Sequence, residues 1–327
     1  MSESIRWGIL GTGGIAHSFV TDLIAAGLTV TAVGSRSQES ADRFASEYGI
    51  AAAHPSYEAL AADADVDVIY IATPHPFHAD NALLAIANGK HVLVEKPFTL
   101  NAVEAARVME AAAAAGVVVM EAMWTRFLPH MVRIREIIAA GTLGDVRTII
   151  ADHDQKLPTD PKHRINNPDL GGGSLLDLGI YPVSFAVDIL GIPDRIISHA
   201  SLTETGVDRQ TALIFEHSGG RQSLLHCALD TAGPVTASVI GTDARIEIER
   251  VWYAPTSFTV TSHTDEVLER FEQPVDSRGM QFQAIELERV IREGAGASPL
   301  LPVAQSVAIM GVLDEVRAQI GLRYPGE

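Results

Sequence analysis

Cysteine is almost absent from this chain of 327 residues: Cys227 stands alone. A single thiol excludes an intrachain disulfide and fits a reducing compartment, and the expected role for it is a small buried hydrophobe. Basic residues are scarce too. Lys and Arg total 24 against 41 Asp and Glu, a formal charge of −17. That argues against the basic surface a nucleic-acid backbone requires, so no nucleic-acid partner is expected. Long apolar runs are missing: no stretch of about 18 or more apolar residues is free of polar breaks, so no transmembrane helix and no membrane partner are expected. The first residues show no basic stretch followed by an apolar core, and a cytoplasmic protein is the expectation. Disorder is excluded by a hydrophobic share of 47%, and the length allows two domains with cores of their own.

Glycines stand where a phosphate would need them. Gly11-Thr12-Gly13-Gly14-Ile15-Ala16 follows an apolar strand, Ile5 to Leu10, and opens a helix in which Ile15, Phe19 and Leu23 recur at helical spacing up to Gly27. Strand, glycine turn and helix in this order form the dinucleotide fingerprint. Gly11 permits the tight turn, Gly13 lets the backbone approach a pyrophosphate, and the helix start supplies N–H groups and positive potential. The second strand ends in Ser35-Arg36-Ser37. An NAD site usually places Asp or Glu there to bind the ribose 2′-hydroxyl, whereas a guanidinium pairs with a 2′-phosphate. This favours NADP(H) over NAD(H).

Strands and helices alternate up to about residue 120, which predicts a doubly wound parallel sheet, a Rossmann dinucleotide-binding domain over 1–122. Beyond Trp124 successive strands are separated by short Gly, Ser and Asp turns. A second α/β domain over 123–327 with a large, mostly antiparallel sheet is therefore expected. Its last element, a helix over 303–320, is free to pack back towards the first domain.

Three polar segments fall where ligands of parallel sheets bind, or bear chemistry that suits such a ligand. Thr73-Pro74-His75-Pro76-Phe77-His78 follows the fourth strand. Thr73, Pro74, His75 and His78 are expected at the helix start or the ribose; no third ligand has metal spacing, so no metal is expected. Glu95-Lys96-Pro97 follows the fifth strand. Lys96 is either a surface lysine before a proline-started helix or a fixed cation that polarises a carbonyl or lowers the pKa of a proton donor. Gly171-Gly172-Gly173 leads to Asp177 and Tyr181, which share a face if the segment is helical, with Pro182 as a complication. Tyr181 is either a buried phenol with a satisfied hydroxyl or, beside a lysine, a general acid–base.

Together these motifs resemble the Gfo/Idh/MocA oxidoreductase family in order and spacing. Glu121 to Pro129, with Trp124-Thr125-Arg126-Phe127 inside it, Trp252-Tyr253-Ala254-Pro255-Thr256 and the tail Asp314 to Pro325 are similar to the branch of dimeric dihydrodiol dehydrogenase and NADP-dependent D-xylose 1-dehydrogenase. The resemblance implies an open antiparallel sheet whose free face forms a homodimer, in the half of the chain that holds Trp252. It implies Lys96 and Tyr181 as the catalytic pair, with Asp177 orienting the site and Glu95 beside the cofactor. Much of the wider family carries His where this chain has Tyr181, which weakens any transfer from inositol dehydrogenases. The implied activity is hydride transfer between NADP(H) and a sugar-like alcohol or carbonyl: an aldose such as D-xylose, a cyclitol or a trans-dihydrodiol. Trp124, Arg126, Phe127 and His153 are the candidate pocket residues, since an aromatic plane suits a pyranose face and a cyclohexadiene ring alike. Other family members cleave glycosides with a bound dinucleotide or sense nucleotides without catalysis, and these are the alternatives.

Overall fold

Apolar runs without alternation become central strands. β1 (Arg6–Leu10), β2 (Thr29–Gly34), β3 (Ala52–His54), β4 (Val68–Ile71), β5 (His91–Glu95) and β6 (Val119–Ala122) pair in the order β3-β2-β1-β4-β5-β6, every pair parallel. Val68-Ile69-Tyr70-Ile71 is buried throughout, as a strand covered on both faces must be. The accompanying helices are α1 (Gly14–Ala25), α2 (Gln38–Tyr48), α3 (Tyr57–Ala61), α4 (His78–Ala87) and α5 (Ala102–Ala115). α5 shows why such boundaries are local. Asn101 Oδ1 accepts from the Glu104 N–H at 3.0 Å, Glu104 Oε2 accepts from the Leu100 N–H at 3.1 Å, and Gly116 ends the helix at φ 66°. The strand order reverses between β1 and β4, so the switch point of this Rossmann sheet lies at their carboxyl ends.

The computed structural model describes residues 4–327, and the chain divides into two units. The first runs to Trp124 and takes in Asp276–Val307; the second holds Thr125–Val275 and Ala308–Glu327. The return of residues 276–307 to the Rossmann unit departs from the continuous second domain expected over 123–327. Buried polar groups explain it. Asp22 on α1 accepts hydrogen bonds from the Ser277 hydroxyl and from the Met280 N–H at 2.7 Å, and Trp7 Nε1 donates to Glu288 at 3.0 Å. Glu288 lies on α8 (Gln281–Glu293), within the returning segment.

The second unit begins with α6 (Pro129–Ala139) and includes α7 (Ile180–Leu190) and most of α9 (Val303–Ile320). Its strands are β7 (Val146–Asp154), β8 (Arg195–Leu202), β9 (Asp208–His217), β10 (Arg221–Ala228), β11 (Ala237–Gly241), β12 (Ala244–Ile248), β13 (Phe258–Ser262) and β14 (Val267–Phe271). They form one sheet in the order β14-β13-β12-β11-β7-β10-β9-β8, with β7–β10 as its parallel pair. The mostly antiparallel sheet expected from the turn spacing is present. Along β9, Leu213 and Phe215 are buried while Ile214 is exposed, the alternation of a sheet with one covered face. Cys227 is buried on the inner side. Trp252, in the half of the chain expected to bear the dimer face, is wholly buried and donates through Nε1 to the Asp152 carbonyl at 2.7 Å. The helical stretch Pro168–Leu190 is long and apolar enough to cross a membrane, and most of it is buried within protein.

Candidate active site

The cofactor side is built by glycine geometry. Gly11 takes φ 103°, and a Cβ there would stand 3.2 Å from the Ala72 carbonyl oxygen at the end of β4. Both the backbone conformation and the close approach call for glycine. Gly13 and Gly14 differ: they are exposed, and an added Cβ would meet nothing within 4 Å. Gly13 starts α1 without a side-chain cap, and no acidic residue lies in the first turn. An uncapped helix start with open space before it fits the pyrophosphate of a dinucleotide. Thr12 Oγ1 lies 3.4 Å from Ser35 Oγ, tying this turn to the end of β2. There Ser35 is buried, Arg36 is exposed, and Ser37 caps α2 by accepting from the Ser40 N–H at 3.3 Å.

One imidazole holds the loops after β4 and β5 together. His78 lies with Nε2 2.7 Å from the Thr73 carbonyl and Nδ1 2.9 Å from the Pro97 carbonyl. Burial pushes its pKa down. Lys96 is rooted just before that loop. Its backbone N–H donates to Glu95 Oε2 at 3.2 Å, and the Phe98 N–H donates to Glu121 Oε1 at 3.1 Å. Tyr70 donates its hydroxyl to Glu95. Burial raises the Glu95 carboxyl to about 7, against the pull of the Tyr70 bond and the Lys96 charge. Lys96 is half-buried.

In the second unit the glycine turn at 171–173 enters a wide π-type turn, Leu175–Gly179, which runs on into α7. The Ile180 N–H bonds to the Leu175 carbonyl, five residues back. Pro182 follows and has no N–H to offer the Leu178 carbonyl, so the ordinary ladder lacks a donor at that point, next to the wide turn. Asp177 Oδ1 accepts from Arg164 Nη1 at 3.0 Å. Tyr181, in the first turn of α7, is enclosed by rings. His153 meets it edge-on at 4.9 Å between centroids, Tyr253 lies at 5.0 Å, and those two rings stack at 4.0 Å. Gln155 Nε2 lies 2.7 Å from His153 Nε2 and 2.9 Å from the Tyr253 hydroxyl. An amide nitrogen only donates, so His153 Nε2 accepts and carries its ring proton on Nδ1.

Two family models cover most of the chain. The Gfo/Idh/MocA oxidoreductase family with NAD-binding Rossmann fold matches residues 5–123, and the GFO/IDH/MocA C-terminal domain matches 131–247. Trans-1,2-dihydrobenzene-1,2-diol dehydrogenase of Mus musculus is 37% identical over 98% of both chains. The chain belongs to the Gfo/Idh/MocA oxidoreductase family. The Xenopus laevis dihydrodiol dehydrogenase is 36% identical over 98% of this chain and 99% of its own. KijD10, a 3-ketoreductase from Actinomadura kijaniata solved with NADP and TDP-benzene, matches with TM-score 0.85 and 26% identity over 97% of this chain and 98% of that one. An aldose-aldose oxidoreductase from Caulobacter crescentus shares the fold, with TM-score 0.86 at 22% identity over 97% of each chain. As a Gfo/Idh/MocA member the chain is an NAD(P)-binding dehydrogenase or reductase.

Within this Gfo/Idh/MocA Rossmann unit, Gly11, Thr12, Gly13, Gly14 and Ile15 follow β1, Ser35, Arg36 and Ser37 follow β2, and Thr73, Pro74 and His75 follow β4. All leave the sheet at the carboxyl ends of their strands. His78 and Glu95, expected among the cofactor contacts, are corrected by the structure. His78 has no exposed surface, and both its ring nitrogens face backbone carbonyls. The Glu95 carboxylate points inwards to Tyr70 and to the Lys96 backbone. Arg126, expected in the pocket, is also reassigned. Its guanidinium pairs with Asp188 at 2.6 Å and donates to the Ser184 hydroxyl at 2.9 Å and carbonyl at 2.8 Å, so it clamps α7. Trp124 and Phe127 are almost wholly buried, and the Arg278 guanidinium lies 5.8 Å from the Trp124 ring centroid. Among the described residues no group of three or more His, Cys, Asp or Glu is placed to hold a metal ion. Gln155, Tyr253 and Arg164 escaped the sequence reading as site residues. Only Tyr253 left a signal, in the Trp-Tyr-Ala-Pro stretch.

Proposed function

We propose that this Gfo/Idh/MocA oxidoreductase transfers hydride between NADP(H) and a sugar-like alcohol or carbonyl, with Tyr181 moving the proton and Lys96 as its electrostatic partner. The substrate class is an aldose such as D-xylose, a cyclitol or a trans-dihydrodiol. The reading gives the cofactor to the Rossmann unit and the substrate and the dimer face to the second unit, in a cytoplasmic homodimer. The observation that carries it is the ring wall around Tyr181. A phenol enclosed by His153 and Tyr253 has its hydroxyl as the one polar atom of its side chain, and flat ring faces suit a pyranose face or a cyclohexadiene ring. The names of the dihydrodiol dehydrogenase relatives and the NADP in the ketoreductase structure support the same chemistry.

A bound nicotinamide dinucleotide supplies or takes up the hydride. Gly13, Gly14 and Ile15 would hold its pyrophosphate, Ser35, Arg36 and Ser37 its adenosine end with the 2′-phosphate, and Thr73, Pro74 and His75 its ribose side. Tyr181 gives its proton to the carbonyl oxygen in reduction and recovers it in oxidation. A cation at Lys96 stabilises the phenolate, which brings the proton exchange towards neutral pH. Asp177, held by Arg164, orients the substrate end.

The test is an NADP⁺ reduction screen over aldoses, cyclitols and trans-dihydrodiols, read at the nicotinamide absorbance. On the substrate it yields, Tyr181→Phe keeps the ring and removes the hydroxyl. Cofactor binding is expected to be unchanged, with turnover lower by roughly 10²–10⁴-fold, the scale of general acid–base catalysis. Near wild-type turnover overturns the proton route. Glycoside cleavage without net NADPH would move the protein to the dinucleotide-dependent glycosidases, and cofactor binding without either reaction to the sensors.

A further inference from the structure

The glycine turn before Tyr181 is gripped from two sides. Asp208, the first residue of β9, has no exposed surface. Its Oδ2 accepts three hydrogen bonds: from Ser174 Oγ at 2.5 Å, the Leu175 N–H at 2.8 Å and Thr211 Oγ1 at 2.8 Å. Its Oδ1 is buried without a hydrogen-bond partner. Gly173 leaves room for that oxygen, since at φ 119° it has no side chain and an added Cβ would overlap Oδ1. On the other side Tyr324 donates its hydroxyl to the Gly172 carbonyl at 2.7 Å, with the Arg317 guanidinium 5.2 Å from its ring centroid.

We propose that Asp208, as a carboxylate, is a positioning residue for Tyr181: its bonds to Ser174 and Leu175 set where the π-type turn starts and thereby where α7 presents the phenol. The proposal rests on the role given to Tyr181 above. A structural anchor alone has no need of a charge. Among the described residues no cation pairs with Asp208, so the buried carboxylate is costly. What the charge adds is strength, because hydrogen bonds to an ionised acceptor are roughly twice as strong as neutral ones. Leu175 opens the turn that ends at Gly179, and Tyr181 is the second residue of the helix that follows. A shift of the turn therefore passes directly to the phenol. A displacement of about 1 Å at a reacting group is enough to cost about 10²-fold in rate.

The groups facing Asp208 make its charge state sensitive to pH. Ser174 and Leu175 come from the glycine turn and Thr211 from β9. Cys227 on β10 has its Sγ 3.5 Å from Ser174 Oγ, and burial holds its thiol well above the usual range. Tyr324 comes from the C-terminal segment, its phenol also raised by burial, with Arg317 and Glu327 behind it and Asp177 acting on it from the turn. Burial raises the Asp208 carboxyl to about 6, against the three donors. Above that pH the group is ionised and the turn is held; below it the group takes up a proton and the grip relaxes.

The experiment compares kcat against pH at saturating substrate for the wild type, Asp208→Asn and Thr211→Val, with NADPH dissociation constants and melting curves alongside. Wild type is expected to lose kcat on an acidic limb near pH 6. Asp208→Asn stands in for the protonated acid. It should have kcat lower by about tenfold on the alkaline plateau, NADPH binding within about twofold, and no such limb. The two curves converge at acidic pH. Thr211→Val removes one donor to the carboxylate, so its limb should move to higher pH. A folded Asp208→Asn with wild-type kcat and an unchanged limb overturns the proposal. If Asp208→Asn does not fold, an unmoved limb in Thr211→Val overturns it. The Tyr181 reading fails separately, through an active Tyr181→Phe; an inactive Tyr181→Phe with an unmoved limb in these variants rejects the positioning role alone.

Discussion

Among single side chains, Arg36 is the one on which the proposed preference for NADP(H) rests. It is exposed at the end of β2, between a buried Ser35 and the helix cap Ser37. Tyr57 at the start of α3 is close enough for the Arg36 charge to lower its phenol pKa, although burial raises it more. No carboxylate in this tripeptide repels a 2′-phosphate. NADP(H) is therefore expected to bind at least about tenfold more tightly than NAD(H), a difference of about 1.4 kcal/mol. Arg36→Asp should reverse the order. Fluorescence titration of both cofactors checks this, and equal or tighter NAD(H) binding by the wild type would reject it. The same scale shows why some candidates were misassigned. His78 and Arg126 bear side chains suited to ligands, yet their partners are Pro97 and Asp188, which sequence proximity does not reveal.

At the level of elements, the glycines are not equivalent. Gly116 ends α5 at φ 66° with nothing within 4 Å of an added Cβ, whereas Gly173 at φ 119° lies against a buried carboxylate. Gly116→Ala should cost only the left-handed backbone penalty, roughly 1–2 kcal/mol, and leave turnover intact. Gly173→Ala adds a collision with Asp208 and should cost more, with a fall in turnover as the turn before Tyr181 shifts. Urea unfolding and initial rates on both variants measure this. Equal stability losses, or full activity in Gly173→Ala, would show that the turn tolerates displacement. Pro182 raised the question of where the helix begins. The answer, a π-type turn ahead of it, needed the three-dimensional chain, because period-based reading assumes one pitch throughout.

For the whole molecule, the outer face of the second sheet bears on assembly. Ile150, Leu224, Ile214 and Ile197 align in register across β7, β10, β9 and β8, each at least 40% exposed. A polar row, Thr148, Gln222, Glu216 and Arg195, flanks them on one side, and Asp152, His226 and His199, with Ala212 between the two histidines, on the other. The apolar row and the Asp152–His199 row border a hollow of about 380 Å³. An apolar row with a polar rim is the make-up of a protein interface, and a self-complementary face favours a two-fold dimer. The wild type is expected to be a dimer at micromolar concentration by light scattering. Ile214→Asp with Leu224→Asp should give a monomer with the far-UV spectrum kept. A monomeric wild type, or a dimer that survives both changes, would reject this face.

The parallel sheet, the glycine turn after β1, the change to antiparallel strands and the family itself were legible in the order of residues. Each depends on neighbours in the chain: apolar runs, alternation, glycine at a turn, Asn101 with Glu104 at a cap. In the candidate site, Lys96 and Tyr181 stood out through local motifs, while the rings that enclose Tyr181 did not. His153, Gln155 and Tyr253 meet because strand register and a distant loop bring them together. Folding likewise decided that Asp276–Val307 joins the Rossmann unit and that Asp208 grips Ser174. Hydrogen bonds between residues far apart in the chain leave no period or spacing to read. They exist only once burial removes water and buried polar atoms, with few exceptions, take protein partners.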